Sequence, residues 1–295
     1  MCDTATIVRI SGGLCWADLD GDTIQCMARG NVKRRAEGVM VGDIVRVSPS
    51  PDGEGGVLEK VLPRRNKLTR PQVANVDQAV VVTAVRQPDP NINLLERILV
   101  QVEHAGLDVV VCFTKADLAS PAEYQELVNV YRCAGFATVV TSTGTGQGVD
   151  DLRSLLSGKV SVFAGPSGAG KSALLNAVQP GYGLAEGGIS SKIGRGRHTT
   201  REVRLLRLHT GGFVADSPGF SVLDLAGMEP EQLGYAYPDI RRYLGECRFA
   251  GCMHDAEPDC AVKRALEDGK LNPVRYEHYL IFLEELRQAQ RDMYR

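Results

Sequence analysis

SVFAGPSGAGKSALLNAV, residues 161–178, reads as a buried apolar strand, a glycine-rich loop and the first turns of a helix. Gly165, Gly170, Lys171 and Ser172 fill the pattern G-x-x-x-x-G-K-[ST]. Glycines there let backbone N–H groups close on phosphate oxygens, a lysine reaches the β and γ oxygens, and a serine at the helix N-terminus ligates Mg²⁺. The expected phosphate-contacting set is therefore Gly165, Pro166, Ser167, Gly168, Ala169, Gly170, Lys171, Ser172 and Ala173. The loop alone selects neither the base nor the reaction.

Length and composition frame the rest. A chain of 295 residues, 43% apolar and 24% charged, has room for two or three soluble globular units. No apolar run approaches the roughly 18 residues of a membrane-spanning helix, and MCDTATIVRISGG lacks the basic and apolar regions of a signal peptide. The expectation is a cytoplasmic protein with no membrane partner, and a monomer in the absence of a dimer motif. The net charge of −2 gives no global sign of nucleic-acid binding. Locally, KIGRGRHTTREVRLLR (192–207) is basic, with Glu202 its single acid, and can meet phosphates.

From residue 5 to about 63, short runs of alternating apolar residues (TIVRI, LCWADL, TIQCMA, DIVRVS, GVLEKVL) are broken by turn signals such as Asp20-Gly21. Five short strands predict a small barrel, with the five-stranded oligonucleotide-binding (OB) fold leading, although strand periodicity does not separate it from other small barrels. Past PRRNKLTRP, strands alternate with helices: AVVVTAV (79–85), a helix carrying Leu94, Leu95, Ile98, Leu99 and Val102, then DVVVCFT (108–114). A helix near 121–134, the strand ATVVTS, a short helix near 149–157 and the phosphate-loop strand continue the series, predicting a parallel sheet wrapped by helices. Strands stop after Leu223, and VRYEHYLIFLEELRQAQ reads as a long amphipathic helix.

Flanking motifs bear on the nucleotide. Downstream, DSPGF (216–220) places Asp216 to reach the Mg²⁺ shell and the Gly219 N–H to sense a γ-phosphate, and in RHTT either Thr199 or Thr200 adds a hydroxyl to the metal. These are parts of a switch ordered by γ-phosphate. Upstream, TKAD (Thr114, Lys115, Ala116, Asp117) is similar to the N-K-x-D guanine motif of GTPases, with Thr114 replacing Asn. A carboxylate there accepts hydrogen bonds from guanine N1–H and the exocyclic amine, which adenine cannot supply. TSTGTG (141–146), with Ser142 and Thr143, resembles the loop that packs on the other side of the base. GPSGAGKS also looks like the phosphate loop of guanylate kinases, so a phosphotransferase acting on GMP stays open, as does an RNA-binding assembly protein that uses GTP only for structure. Asp117 and DSPG weigh against the kinase.

Base loops ahead of the phosphate loop reverse the usual order, so the domain reads as circularly permuted. Such a cut is physically allowed, because all these loops leave the carboxyl ends of parallel strands. Beyond them, Cys247, Cys252, His254 and Cys260 follow C-x₄-C-x-H-x₅-C, a donor set for one closed, structural zinc site.

TKAD, TSTG, GPSGAGKS, RHTT, DSPGF and the Cys/His tail, in that order after a barrel, resemble the bacterial small ribosomal subunit biogenesis GTPases, the RsgA or YjeQ family. The likeness runs through RPQVANVDQ, NLLERILVQVEHAG and GRGRHTT. It implies an OB-fold RNA-binding domain (1–65), a circularly permuted α/β P-loop GTPase domain (71–223) and a mainly helical zinc-binding domain (224–295). It implies GTP and GDP with Mg²⁺, docking on the small ribosomal subunit and its 16S rRNA late in maturation, and hydrolysis tied to release. Arg201 replaces the Thr common after RHTT, and the apolar Phe220 follows DSPG where many GTPases carry a water-positioning Gln. Slow intrinsic turnover is therefore expected, with His198 the candidate to orient water once RNA orders the loop; the alternative role for His198 is contact with RNA phosphate or loop backbone.

Overall fold

The structure, a computed structural model, describes residues 3–29, 38–50, 55–181, 203–216, 225 and 227–293. Its first unit is a barrel of β1 (Asp3–Ser11), β2 (Leu14–Leu19), β3 (Asp22–Ala28), β4 (Ile44–Pro49) and β5 (Gly56–Val61). The strands pair in the order β1-β2-β3-β5-β4, and β4 closes back on β1 with Ala5 opposite Val45. β3 and β5 run parallel, as Cys26↔Gly56 shows, and the other neighbours are antiparallel. Closure pairs the first and fourth strands over Asp3–Thr6 of β1 and so removes most of the free edge. Alternate residues point inward, so Ala5, Ile7, Cys15, Ala17, Cys26, Val45, Val47, Leu58 and Val61 form the barrel core. Several are small, as the narrow interior demands. Asp20 and Gly21 turn β2 into β3 with φ of 52° and 109°, the left-handed pair that a two-residue hairpin requires.

The central sheet runs β10-β9-β8-β11-β13-β12. Its strands β8 (Gln78–Ala84), β9 (Asp108–Thr114), β10 (Ala137–Val140), β11 (Val160–Ala164) and β13 (Phe213–Asp216) are parallel, and β12 (Arg204–Arg207) is antiparallel to β13. Every residue of β8 is buried, the mark of a strand covered on both faces. Ala79 and Val81 face α1 (Ile92–His104) and α2 (Pro121–Ala134), while Val80 and Val82 face α3 (Val149–Leu156) and α4 (Lys171–Val178). The helices start where capping chemistry allows: Asn91 accepts from the Leu94 N–H, and Ser120 with Glu123 forms a reciprocal capping box ahead of Pro121.

Barrel and central sheet are continuous, which the strand pattern does not disclose. β1 pairs antiparallel with β12, Arg9 opposite Arg204, giving one eleven-stranded sheet. Val8, Ile10 and Trp16 from the barrel join the apolar core of the central unit. Arg207 on β12 forms an ion pair with Asp18 of β2, a carboxylate only 5% exposed. Gln179, at the end of α4, donates to the Arg207 carbonyl at 3.0 Å and accepts from the His209 N–H at 2.7 Å. The last arginine of the basic run thus anchors the barrel to the sheet. PRRNKLTRP (63–71) itself contains β6 (Lys67–Thr69), which pairs with β7 (Gln72–Ala74) in a two-stranded hairpin.

Beyond β13 come a 3₁₀ segment (Pro230–Ala236), α5 (Pro238–Arg241), α6 (Ala261–Glu267) and the 21-residue α7 (Pro273–Met293). Their core includes Leu233, Tyr237, Ile240, Tyr279, Phe282 and Leu283, and also takes in Val100 of α1. Beside it Arg275 lies 1% exposed, with Nη1 donating to both Glu96 oxygens at 2.9 Å and Nε and Nη2 donating to Asp239 at 2.8 Å. Tyr131, Phe136 and Tyr237 pack their rings around the guanidinium. Glu96 belongs to α1 and Asp239 to α5, so this cluster joins the C-terminal helices to the central unit.

Candidate nucleotide site and metal cluster

The glycine-rich loop joins β11 to α4 with Gly165, Gly168 and Gly170 at φ of 134°, 80° and 90°. At Gly165 the demand is also steric, because a Cβ would lie 2.1 Å from the Val82 carbonyl oxygen of β8. Gly170 caps α4, so the helix N-terminus and its free N–H groups face the loop mouth. Lys171 Nζ donates to the carbonyls of Gly165 and Pro166 at 2.8 and 2.7 Å, spanning the loop. Burial pushes its ammonium below the ordinary lysine pKa, a penalty that phosphate charge would oppose. Ser172 is half-buried in the first turn of α4.

The upstream loops converge on this rim. Thr114 ends β9 buried, and its hydroxyl donates to the Ala169 carbonyl of the glycine-rich loop at 2.6 Å. Lys115 takes left-handed backbone, φ 58°, and its Nζ donates to the Gln87 carbonyl. The Ala116 N–H donates to the Thr141 carbonyl at 3.1 Å, and the buried Ser142 hydroxyl donates to Asp117 at 2.5 Å. Thr143 and Asp117 are exposed beside one another's loops, and Gly144 sits with room for a Cβ 3.7 Å from the second Asp117 oxygen. Segments 25 residues and more apart in the chain therefore meet, bringing Thr114, Asp117, Ser142 and the loop at 165–173 to one rim. Asp216 lies at the carboxyl end of β13, one residue past the Val162↔Ala215 pair and thus on the same rim. His198, Thr199, Thr200 and Gly219 lie outside the described residues. The Gln87 carbonyl was not anticipated, and no motif signals a backbone acceptor.

The second cluster is in the C-terminal unit. Cys247 Sγ lies 3.5 Å from His254 Nδ1 and 3.9 Å from Cys260 Sγ, Cys260 Sγ lies 3.4 Å from the same nitrogen, and all four donor atoms, with Cys252, fall within 4.8 Å. Tetrahedral zinc with Zn–S of about 2.3 Å and Zn–N of about 2.0 Å needs donor separations of roughly 3.3–3.8 Å, which these approach. Burial lowers the His254 pKa, favouring the neutral imidazole that binds metal, and raises that of the Cys252 thiol, a tendency a bound cation reverses. α7 holds the knuckle in place: Tyr276 donates to the His254 carbonyl at 2.7 Å, Tyr279 to the Met253 carbonyl at 2.9 Å, and Arg287 to Asp255 at 2.8 Å. Glu257 accepts from the Met253 and Asp255 N–H groups at 2.8 and 2.9 Å. The donors fit a structural zinc ion with four protein ligands and no position for substrate.

A phosphate loop, two base-side loops ahead of it and a Cys₃His cluster set the terms for comparison. The family model described as RsgA GTPase matches residues 61–226. The chain belongs to the RsgA GTPase family. The small ribosomal subunit biogenesis GTPase RsgA of Moorella thermoacetica is 46% identical over 95% of this chain and 96% of its own length. That of Agathobacter rectalis is 42% identical over 92% and 90%. Among solved structures, YjeQ from Thermotoga maritima superposes with a TM-score of 0.84 at 34% identity, covering 97% of this chain and 99% of its own. YloQ, described as a circularly permuted GTPase, gives 0.84 at 36% identity, with coverage of 98% and 96%. As an RsgA GTPase the chain hydrolyses GTP, and the predicted multidomain architecture of barrel, permuted GTPase unit and helical Cys/His unit holds. Stripping zinc with a chelator, or Cys260→Ala, is expected to loosen the knuckle and lower the melting temperature by several degrees, restored by added Zn²⁺ only in the wild type. An unchanged melt after verified metal removal would contradict a structural zinc.

Proposed function

We propose that this chain is a small ribosomal subunit biogenesis factor that binds the subunit with GTP, hydrolyses it to GDP and phosphate, and thereby leaves. The reading divides the chain into an RNA-binding barrel (1–65), a GTPase domain (71–223) and a zinc-binding domain (224–295), acting as a cytoplasmic monomer on 16S rRNA. The single observation that carries the nucleotide half is the bridge from Ser142 to Asp117 at 2.5 Å, which holds a carboxylate on the rim of the phosphate loop.

In this reading Asp117 accepts from guanine N1–H and its amine, Lys115 lies along the base, and Ser142 and Thr143 line its other side. The N–H groups from Gly165 to Ala173 and the Lys171 ammonium take the phosphates. Ser172, Asp216, Thr199 and Thr200 would hold Mg²⁺, which neutralises phosphate charge. Gly219 meets the γ-phosphate, and His198 orients the attacking water on the subunit. The kinship of the RsgA proteins named above supports the ribosomal half of the proposal.

Asp117→Asn tests the base assignment. The exchange turns an acceptor toward guanine into a donor and removes two charge-assisted hydrogen bonds, each worth about 1.5–3 kcal/mol. GDP affinity is expected to fall at least about 100-fold by equilibrium titration while XDP, whose C2 carbonyl accepts from an amide, gains. Unchanged GDP affinity would remove Asp117 from the base site.

A further inference from the structure

We infer that Thr114 is a positioning residue for the phosphate loop and offers nothing to the base, so that guanine is read here without a donor to purine N7. The inference rests on the nucleotide site proposed above. A threonine hydroxyl carries one proton. At Thr114 that proton is committed to the Ala169 carbonyl at 2.6 Å, in preference to the more distant Thr83 carbonyl at 3.4 Å. The side chain is 3% exposed and Ala169 is fully buried, so nothing approaching from solvent reaches the hydroxyl.

What the bond controls is the height of the loop. Ala169 directly precedes Gly170, the N-cap of α4, and Lys171, whose ammonium spans the loop. Gly170 faces the same side chain, since a Cβ there would lie 3.7 Å from Thr114 Oγ1. Without the hydroxyl, a buried carbonyl has lost its donor and the loop must shift to find another. That disturbance reaches the N–H groups that face phosphate, whatever base is attached.

The discriminating ligand is 7-deaza-GDP, which lacks the N7 acceptor and is otherwise like GDP. Wild-type protein is expected to bind the two within about twofold, and Thr114→Val to weaken both by about tenfold without changing their ratio. Thr114→Ser, which keeps the hydroxyl, should stay within about threefold of wild type. Melting curves of the nucleotide-free variants check that each is folded, and Thr114→Ser against wild type carries the test if the valine variant does not fold. A wild-type preference for GDP over 7-deaza-GDP of tenfold that Thr114→Val abolishes would overturn the inference by showing a base contact. Wild-type affinity in Thr114→Val would overturn it by showing that the bond does not matter. Failure of wild-type protein to prefer GDP over ADP would instead refute the nucleotide site itself.

Discussion

Lys171→Ala is expected to lower GTP hydrolysis by about 100- to 1,000-fold, the loss typical when one preorganised donor to developing phosphate charge is removed. The ammonium reaches across the loop mouth from the first residue of α4, and no other described lysine stands on the glycine-rich loop. In its proposed place against the β and γ oxygens, its loss should weaken GTP binding as well as slow turnover. Melting should change little, since the bonds it gives up are to the loop's own half-buried carbonyls of Gly165 and Pro166. Single-turnover assays at saturating GTP separate the two effects. Hydrolysis at the wild-type rate would mean that the phosphates lie elsewhere.

Arg275→Ala should be strongly destabilising. It leaves Glu96 and Asp239, 0% and 4% exposed, facing one another with no cation between them. Breaking a buried ion pair from one side costs about 3–5 kcal/mol, or roughly 10 °C in melting temperature for a unit of this size. The two carboxylates hold Arg275 in its charged form despite burial. Replacing all three charges by apolar residues of similar volume should cost far less than the single change. The cluster ties α7 to α1 and α5, assisted by Arg97 bonded to both oxygens of Glu285 at 2.7 and 2.6 Å. Limited proteolysis of Arg275→Ala should therefore release the C-terminal helices first. A melt and cleavage pattern like wild type would show that the cluster does not join the units.

These two residues illustrate what the sequence disclosed. Lys171 was legible because phosphate chemistry imposes a fixed local spacing, and the same holds for Cys247, Cys252, His254 and Cys260. Asp117 and Ser142 were legible as loops at strand ends, although only the folded sheet shows the hydroxyl meeting the carboxylate. Arg275 left a fainter signal. It occupies a core position of the stripe continued by Tyr279, Phe282, Leu283 and Leu286, where an apolar residue is expected, and its partners lie 36 and 179 residues away. No local pattern encodes such pairs. The β1–β12 seam was hidden for a related reason: Arg204–Arg207 is a four-residue strand inside a basic run, and charge masked its alternation. Thr114 stands out in the sequence as a departure from Asn, but its bond to Ala169 depends on two strands being neighbours through β8.

The proposed function makes this protein a GTPase driven by the small ribosomal subunit. The most direct measurement is hydrolysis of GTP and of ATP by the zinc-loaded protein, with and without purified small subunits, beside the Lys171→Ala variant. The expected result is slow hydrolysis alone, strong stimulation by subunits that is confined to GTP, and loss of that stimulation in the variant. Equal rates with and without subunits, or equal use of ATP, would contradict it.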